Sequence, residues 1–226
     1  MAKVFIGVGH GGIDTGASAY LVEKDVNLTM AKYCADLLQK NGVEVKLSRT
    51  KDENDPLKDE IKECNSFNPD LAIDVHNNAG GGDGFEAYYH YRGGVSKVLA
   101  QNIEKEVIKI GQNSRGTRIR LNDSGSDYYG FIRQTKCPAV IVEGCFVDNK
   151  EDVKIADTES EQKAFGYAYA KGILATLGIT PKTENGTNSN KGLYKVQIGA
   201  YSKKDNAEIQ LQKAKEAGFS DAYITL

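Results

Sequence analysis

Val4-Phe5-Ile6-Gly7-Val8, Leu71-Ala72-Ile73-Asp74-Val75 and Ala139-Val140-Ile141-Val142 are nearly continuous apolar runs, the pattern of strands covered on both faces by helices. After the first run, Val26, Met30, Tyr33 and Leu37 recur at helical spacing. Asn41-Gly42 then stops the helix, and Val43, Val45 and Leu47 alternate as in a less buried strand. That order predicts a βαβ unit. The same patterns place helices over about 57–67, 95–110 and 159–177 and a strand over 85–91, whereas Gly111 to Gly130 reads as a polar stretch. The alternation implies an α/β fold with an open, mostly parallel twisted sheet flanked by helices.

From Thr180 to Gly192 the chain turns to Thr, Asn, Ser, Gly, Lys and Pro without apolar periodicity, the composition of a flexible connector. The expected organisation is a first domain over 1–179, a linker over 180–191 and an appendage over 192–226. Within the appendage, 194–201 alternates as a strand, 205–217 reads as a helix stopped by Gly218, and 222–226 reads as a second strand. It is a small C-terminal βαβ unit.

Composition narrows the function. The chain has 226 residues and a net charge of −2, so it lacks the concentrated basic face with which nucleic-acid binders displace counterions. No segment reaches the length of a membrane span, and Met1 to Ile6 leads into a strand without the features of a signal peptide. The expectation is a protein made in the cytoplasm. Cys34, Cys64, Cys137 and Cys145 form no Cys-x-x-Cys pair and read as reduced packing residues in helices or buried strands.

The chemistry lies at the ends of the apolar runs. In an open α/β sheet, ligands bind beyond the carboxyl ends of the strands, and His10, His76 and Glu143 all fall at that edge. Glu23, at the start of the first helix, begins near the same edge. Two histidines and a carboxylate form a recurring catalytic zinc set, and a further carboxylate serves as general base for the activated water. This reads as a zinc hydrolase. His90, inside Tyr88-Tyr89-His90-Tyr91, suits packing or the surface and is left out of the site.

A rival reading takes Gly7 to Gly12 as G-x-G-x-x-G after the first strand, with Arg49 meeting a 2′-phosphate. A dinucleotide loop needs the helix to open at its third glycine, yet Ile13 to Tyr20 is a loop rich in Gly, Ser, Thr and Ala. The rival is therefore weaker than the metal site.

Gly9-His10-Gly11-Gly12, Glu23 to Leu28, Leu47 to Thr50, Asp74 to Asn78, Gly84-Phe85-Glu86 and Pro138 to Glu143 follow one another in the order found in a known family. On these motifs, residues 1–179 resemble the zinc-dependent N-acetylmuramoyl-L-alanine amidases of amidase type 3. Val8 departs from the Asp-Pro that many relatives carry before Gly-His, which bears on local loop shape. The resemblance implies that His10, Glu23 and His76 hold the zinc and that Glu143 is the catalytic glutamate. It also implies peptidoglycan as substrate, cut between N-acetylmuramic acid and L-alanine of the stem peptide.

Asp74 shares a strand face with His76, so it either orients that ligand or is a buried carboxylate satisfied by backbone. Arg115, Arg118 and Arg120 belong either to a solvated loop or to a surface that meets carboxylates of the stem peptide. Gly192 to Tyr201, Asp205-Asn206-Ala207 and Ala217-Gly218-Phe219 resemble one repeat of the sporulation-related (SPOR) peptidoglycan-binding module. That module uses two repeats in one sheet, so a homodimer through 192–226 is expected, the alternative being a tail that docks on its own catalytic domain. Similar amidases with this tail are mother-cell lysis enzymes and phage endolysins, which reach the wall by lysis or holin-type release. The alternatives are a zinc peptidase cutting another wall-peptide bond and a non-catalytic wall-binding protein.

Overall fold

The structure, a computed structural model, describes residues 1–181, 198–219 and 222–224. The chain divides into two compact units, residues 1–183 and 184–226.

The first unit runs β1 (Lys3–Val8), α1 (Glu23–Lys40), β2 (Glu44–Leu47), α2 (Leu57–Phe67), β3 (Leu71–Asn78), β4 (Phe85–Tyr89), α3 (Val95–Lys109), β5 (Ser114–Arg118), α4 (Gly130–Gln134), β6 (Ala139–Phe146), α5 (Lys150–Val153) and α6 (Glu159–Thr176). The strands form one six-stranded sheet in the order β2-β1-β3-β6-β4-β5. β2, β1, β3 and β6 are mutually parallel, and β4 runs antiparallel to β6 with β5 parallel to β4. The expected open, mostly parallel sheet is present.

Strand alternation explains the unbroken apolar runs. Val4, Ile6, Val8, Ile73, Val75, Val140 and Val142 pack against α1, α3 and α6 on one face, while Phe5, Ala72 and Ile141 pack against α2 and α4 on the other. Each large side chain buried this way contributes about 1.5–3 kcal/mol relative to exposure. Against the first face, α6 lies close to α1 because Gly166 has no side chain: a Cβ there would stand 2.4 Å from the Met30 carbonyl oxygen. α6 opens on a capping box, Thr158 Oγ1 accepting from Glu161 N–H while the Glu161 carboxylate accepts from Thr158 N–H.

The polar stretch 111–130 is not all loop, since it contains β5. Ser114-Arg115-Gly116-Thr117-Arg118 has no apolar residue to mark it; as an edge strand it pairs through its backbone and leaves its side chains largely to solvent. Cys137 lies in a bend before β6 rather than in an element, and Cys34, Cys64 and Cys145 are buried and free. No helix among the described residues is long and apolar enough to cross a membrane.

In the second unit, α7 (Lys204–Glu216) ends before Gly218, whose φ of +100° suits a helix stop. The expected first strand falls mostly on 194–197, outside the described residues, and 198–201 and 222–224 are not in strands. The expected βαβ is therefore not seen among the described residues, and a single hairpin-sized pair of strands would be marginal on its own.

Candidate metal centre

The loop leaving β1 folds back toward β3, and its sequence explains how. His10 takes a φ of +65°, a left-handed conformation that turns the chain sharply. Gly9 allows the approach, since a Cβ at that position would stand 2.2 Å from Cε1 of His76. The glycine-rich run that imitates a nucleotide loop thus brings two imidazoles together, with ring centroids 5.0 Å apart at 82°. Glu23 is the first residue of α1 and 4% exposed.

His10, Glu23 and His76 each offer one ligand atom, and these atoms all lie within 4.8 Å of one another. His10 Nε2 lies 3.2 Å and His76 Nδ1 3.0 Å from Glu23 Oε1. The same oxygen accepts the backbone N–H of Asn77 at 3.1 Å, and Oε2 accepts that of Ala17 at 2.9 Å. The other nitrogen of each imidazole meets a carboxylate: His10 Nδ1 is 3.0 Å from Asp14 Oδ2, and His76 Nε2 is 3.3 Å from Asp74 Oδ2. Such outer carboxylates fix the ring orientation and tautomer of metal-binding histidines. The geometry favours the orienting branch of the Asp74 reading, because Asp74 faces His76 and its Oδ1 is buried beside the Glu60 carboxyl rather than bound to backbone.

Electrostatics follow the geometry. The hydrogen bond with Glu23 raises the pKa of His10 against the opposing effect of burial. Burial pulls His76 down, but Asp74 and then Glu23 outweigh it and hold the imidazole well above its ordinary range. Burial pushes the Glu23 carboxyl up, and the two imidazoles more than reverse this, leaving it well below the usual carboxylate range. A cation at this centre would compete with protons for the same nitrogens. Two imidazoles and one carboxylate fit zinc by donor type and number.

Glu143 sits within β6 and His76 within β3, rather than after their strands, and the two are register partners. Burial raises the Glu143 carboxyl to about 7, with Glu23, Asp74 and Glu86 adding to the rise and His76 opposing it. A carboxylate poised there suits proton transfer near neutral pH. The three residues picked from strand ends and Glu23 from the start of the first helix therefore lie close together. His90 stands apart, with Nε2 3.2 Å from Asp127 Oδ2.

Beside the centre lies a cavity of about 280 Å³ lined by His10, His76, Asp14, Asp55, Glu60, Asp74 and Tyr129 among others. Glu60 is 4% exposed; burial, then Asp74 and Asp55, push its carboxyl well above the usual range. Its position on α2, in a polar segment with no motif, left no mark in the sequence. Asn27 and Asn77 were also missed, though both are buried and linked: Asn77 Nδ2 donates to Asn27 Oδ1, and Asn27 Nδ2 donates to the Gly9 carbonyl. Arg49 is 2% exposed and contacts no ligand position. Its guanidinium donates to the carbonyls of Val8, Gly9, Lys24 and Lys51, tying the His10 loop to the start of α1.

An open α/β sheet beside which two imidazoles, a buried carboxylate and a second, raised carboxylate gather has the form of a hydrolase. Comparison with known proteins makes the class particular. The family described as N-acetylmuramoyl-L-alanine amidase matches residues 4–175, and the SPOR domain matches residues 170–225. The chain is 33% identical over 230 residues to N-acetylmuramoyl-L-alanine amidase CwlM of Bacillus licheniformis, covering 99% of this chain and 85% of that protein. It is 32% identical over 248 residues to the endolysin of Bacillus phage SPP1, covering 99% and 89% respectively. The solved catalytic domain of CwlV, an N-acetylmuramoyl-L-alanine amidase from Bacillus (Paenibacillus) polymyxa var. colistinus, superposes with a TM-score of 0.71. It is 29% identical and covers 80% of this chain and 100% of that one. This chain belongs to the N-acetylmuramoyl-L-alanine amidase family and carries a C-terminal SPOR domain. Its activity is peptidoglycan hydrolysis.

Proposed function

We propose that His10, Glu23 and His76 hold a zinc ion and that Glu143 is the proton-transfer residue for cleavage of the amide between N-acetylmuramic acid and L-alanine. The observation that carries this reading is the convergence of three ligand atoms within 4.8 Å, one strand away from a carboxyl raised to about 7. When bound, the ion supplies a Lewis acid for the amide carbonyl and lowers the pKa of water at the site. Asp14 and Asp74 keep the imidazoles turned so that one nitrogen of each faces Glu23. Glu143 accepts a proton from the attacking water and returns it to the alanine nitrogen as the C–N bond breaks. The products are a lactyl carboxylate on the sugar and a peptide with a free amino terminus.

Replacing Glu143 by Gln keeps the side chain's size and removes the base. The expected result is turnover lower by about 10²–10⁴-fold with stoichiometric zinc still bound. A near-normal rate in a metal-loaded Glu143→Gln protein would remove Glu143 from this role.

The domain division at 180–191 and the second unit's role belong to the same proposal: residues 192–226 pair with a second copy to complete a wall-binding module. Support comes from the SPOR match and from the exposure of Ile198, Ile209 and Phe219 on a unit too small to bury them. Similarity to a phage endolysin supports action on the wall after release by lysis.

A further inference from the structure

Arg115 and Arg118 lie on the outermost strand of the sheet, and the site gives them no part in holding a metal or moving a proton. Their environment is nonetheless built. Glu86 on β4 is the cross-strand partner of Glu143 on β6, and directly opposed residues leave an antiparallel pair on the same face. Glu86 is 3% exposed; its Oε2 accepts the Tyr88 hydroxyl at 2.9 Å, and its Oε1 accepts Arg115 Nε at 2.5 Å. The same Oε1 lies 3.5 Å from Arg118 Nη2.

One buried carboxylate is thus matched by two guanidinium groups. Arg118 is held further by donating Nε and Nη2 to the Arg115 carbonyl at 3.2 and 2.8 Å, and the Arg115 guanidinium stands 5.4 Å from the centre of the Phe146 ring. Both side chains stay open to solvent, 38% and 43% exposed. Both terminal nitrogens of Arg115 and Nη1 of Arg118 have no hydrogen-bond partner among the described residues. A fixed pair of guanidinium forks with open donors is suited to bidentate recognition of a carboxylate.

The sheet order says which part of the substrate arrives there. Ligand residues sit on or beside β1 and β3, then comes Glu143 on β6, then Glu86 on β4, then the arginines on β5. Glu143 delivers its proton to the departing nitrogen, so the peptide leaves from the Glu143 side, toward β4 and β5. Two strand spacings are about 10 Å, the reach of about three extended residues.

Resting on the amidase reading above, we propose that Arg115 and Arg118, pinned by Glu86, form an anion subsite that takes a free carboxylate near the start of the stem peptide, and so favour a carboxylate there over its carboxamide. The test uses the full-length, zinc-loaded protein and two synthetic muramoyl peptides that differ only in a carboxylate or a carboxamide on the second residue. The expected result is a kcat/KM roughly 10-fold higher for the carboxylate peptide, carried by KM and shrinking as salt is added.

In Arg118→Gln the ratio falls toward unity, and Arg118→Lys restores part of it; Arg118 is chosen because removing Arg115 strips Glu86 of its closest partner. Calorimetry on Glu143→Gln, whose turnover is slowed, gives a binding readout, with tighter binding of the carboxylate peptide expected. Equal kcat/KM for the two peptides in the parent protein, or a ratio untouched by Arg118→Gln, overturns the subsite and leaves the amidase reading standing. Release of N-terminal alanine from neither peptide overturns both.

Discussion

Gly9 shows how far the site depends on single atoms. A methyl group there would stand 2.2 Å from the His76 ring, a distance no side chain tolerates, so Gly9→Ala must push His76 or the His10 loop away from Glu23. The expected outcome is a folded protein with zinc affinity weakened by about 10–100-fold, measured by competition with a chromophoric chelator. Unchanged affinity would mean that the imidazole position does not depend on this close approach.

The meeting of His10, Glu23 and His76, with Glu143 on the neighbouring strand, was legible because these residues sit at or near the ends of strongly apolar runs. Glu60 was not legible, and Asn27 and Asn77 stood inside two of the ordered motifs without a role, because a buried polar residue leaves no periodic signal and only its partners reveal why it is buried. The pairing of Arg115 with Glu86 was hidden for the same reason: residues 29 apart in sequence meet through strand order.

At the scale of elements, apolar period found α1, α2, α3, α6 and most of the sheet, since these elements bury one or both faces. It missed β5, an edge strand of polar residues, and α4, a five-residue helix. Arg49 does its work at this scale. Its side chain joins the loop after β1 to the first turn of α1 through carbonyls of Val8, Gly9 and Lys24, so it fixes the two elements that supply His10 and Glu23. Arg49→Gln removes most of these bonds and leaves buried carbonyls without donors. The expected cost is about 2–4 kcal/mol of stability, read by denaturant unfolding, together with weaker zinc binding. A change below about 0.5 kcal/mol would contradict this tie.

Over the whole molecule, the first unit has its own core on both faces of a six-stranded sheet, whereas the second has one described helix with several apolar residues exposed. A unit of that size gains too little from burial to stand alone, which is the physical ground for pairing between copies. Sedimentation of the intact chain at micromolar concentration is expected to show a dimer that reverts to a monomer when residues 192–226 are removed. A monomeric intact chain would refute the pairing without touching the catalytic unit.

The central claim is that this site cuts one particular bond with the help of a metal ion. Mass spectrometry of purified peptidoglycan digested with the full chain, with and without a chelator, tests it most directly. The account predicts stem peptides with a new N-terminal alanine and glycan strands with a free lactyl carboxylate, abolished by the chelator and restored by added zinc. Cleavage at a different wall bond, or the same products in the chelator's presence, would contradict it.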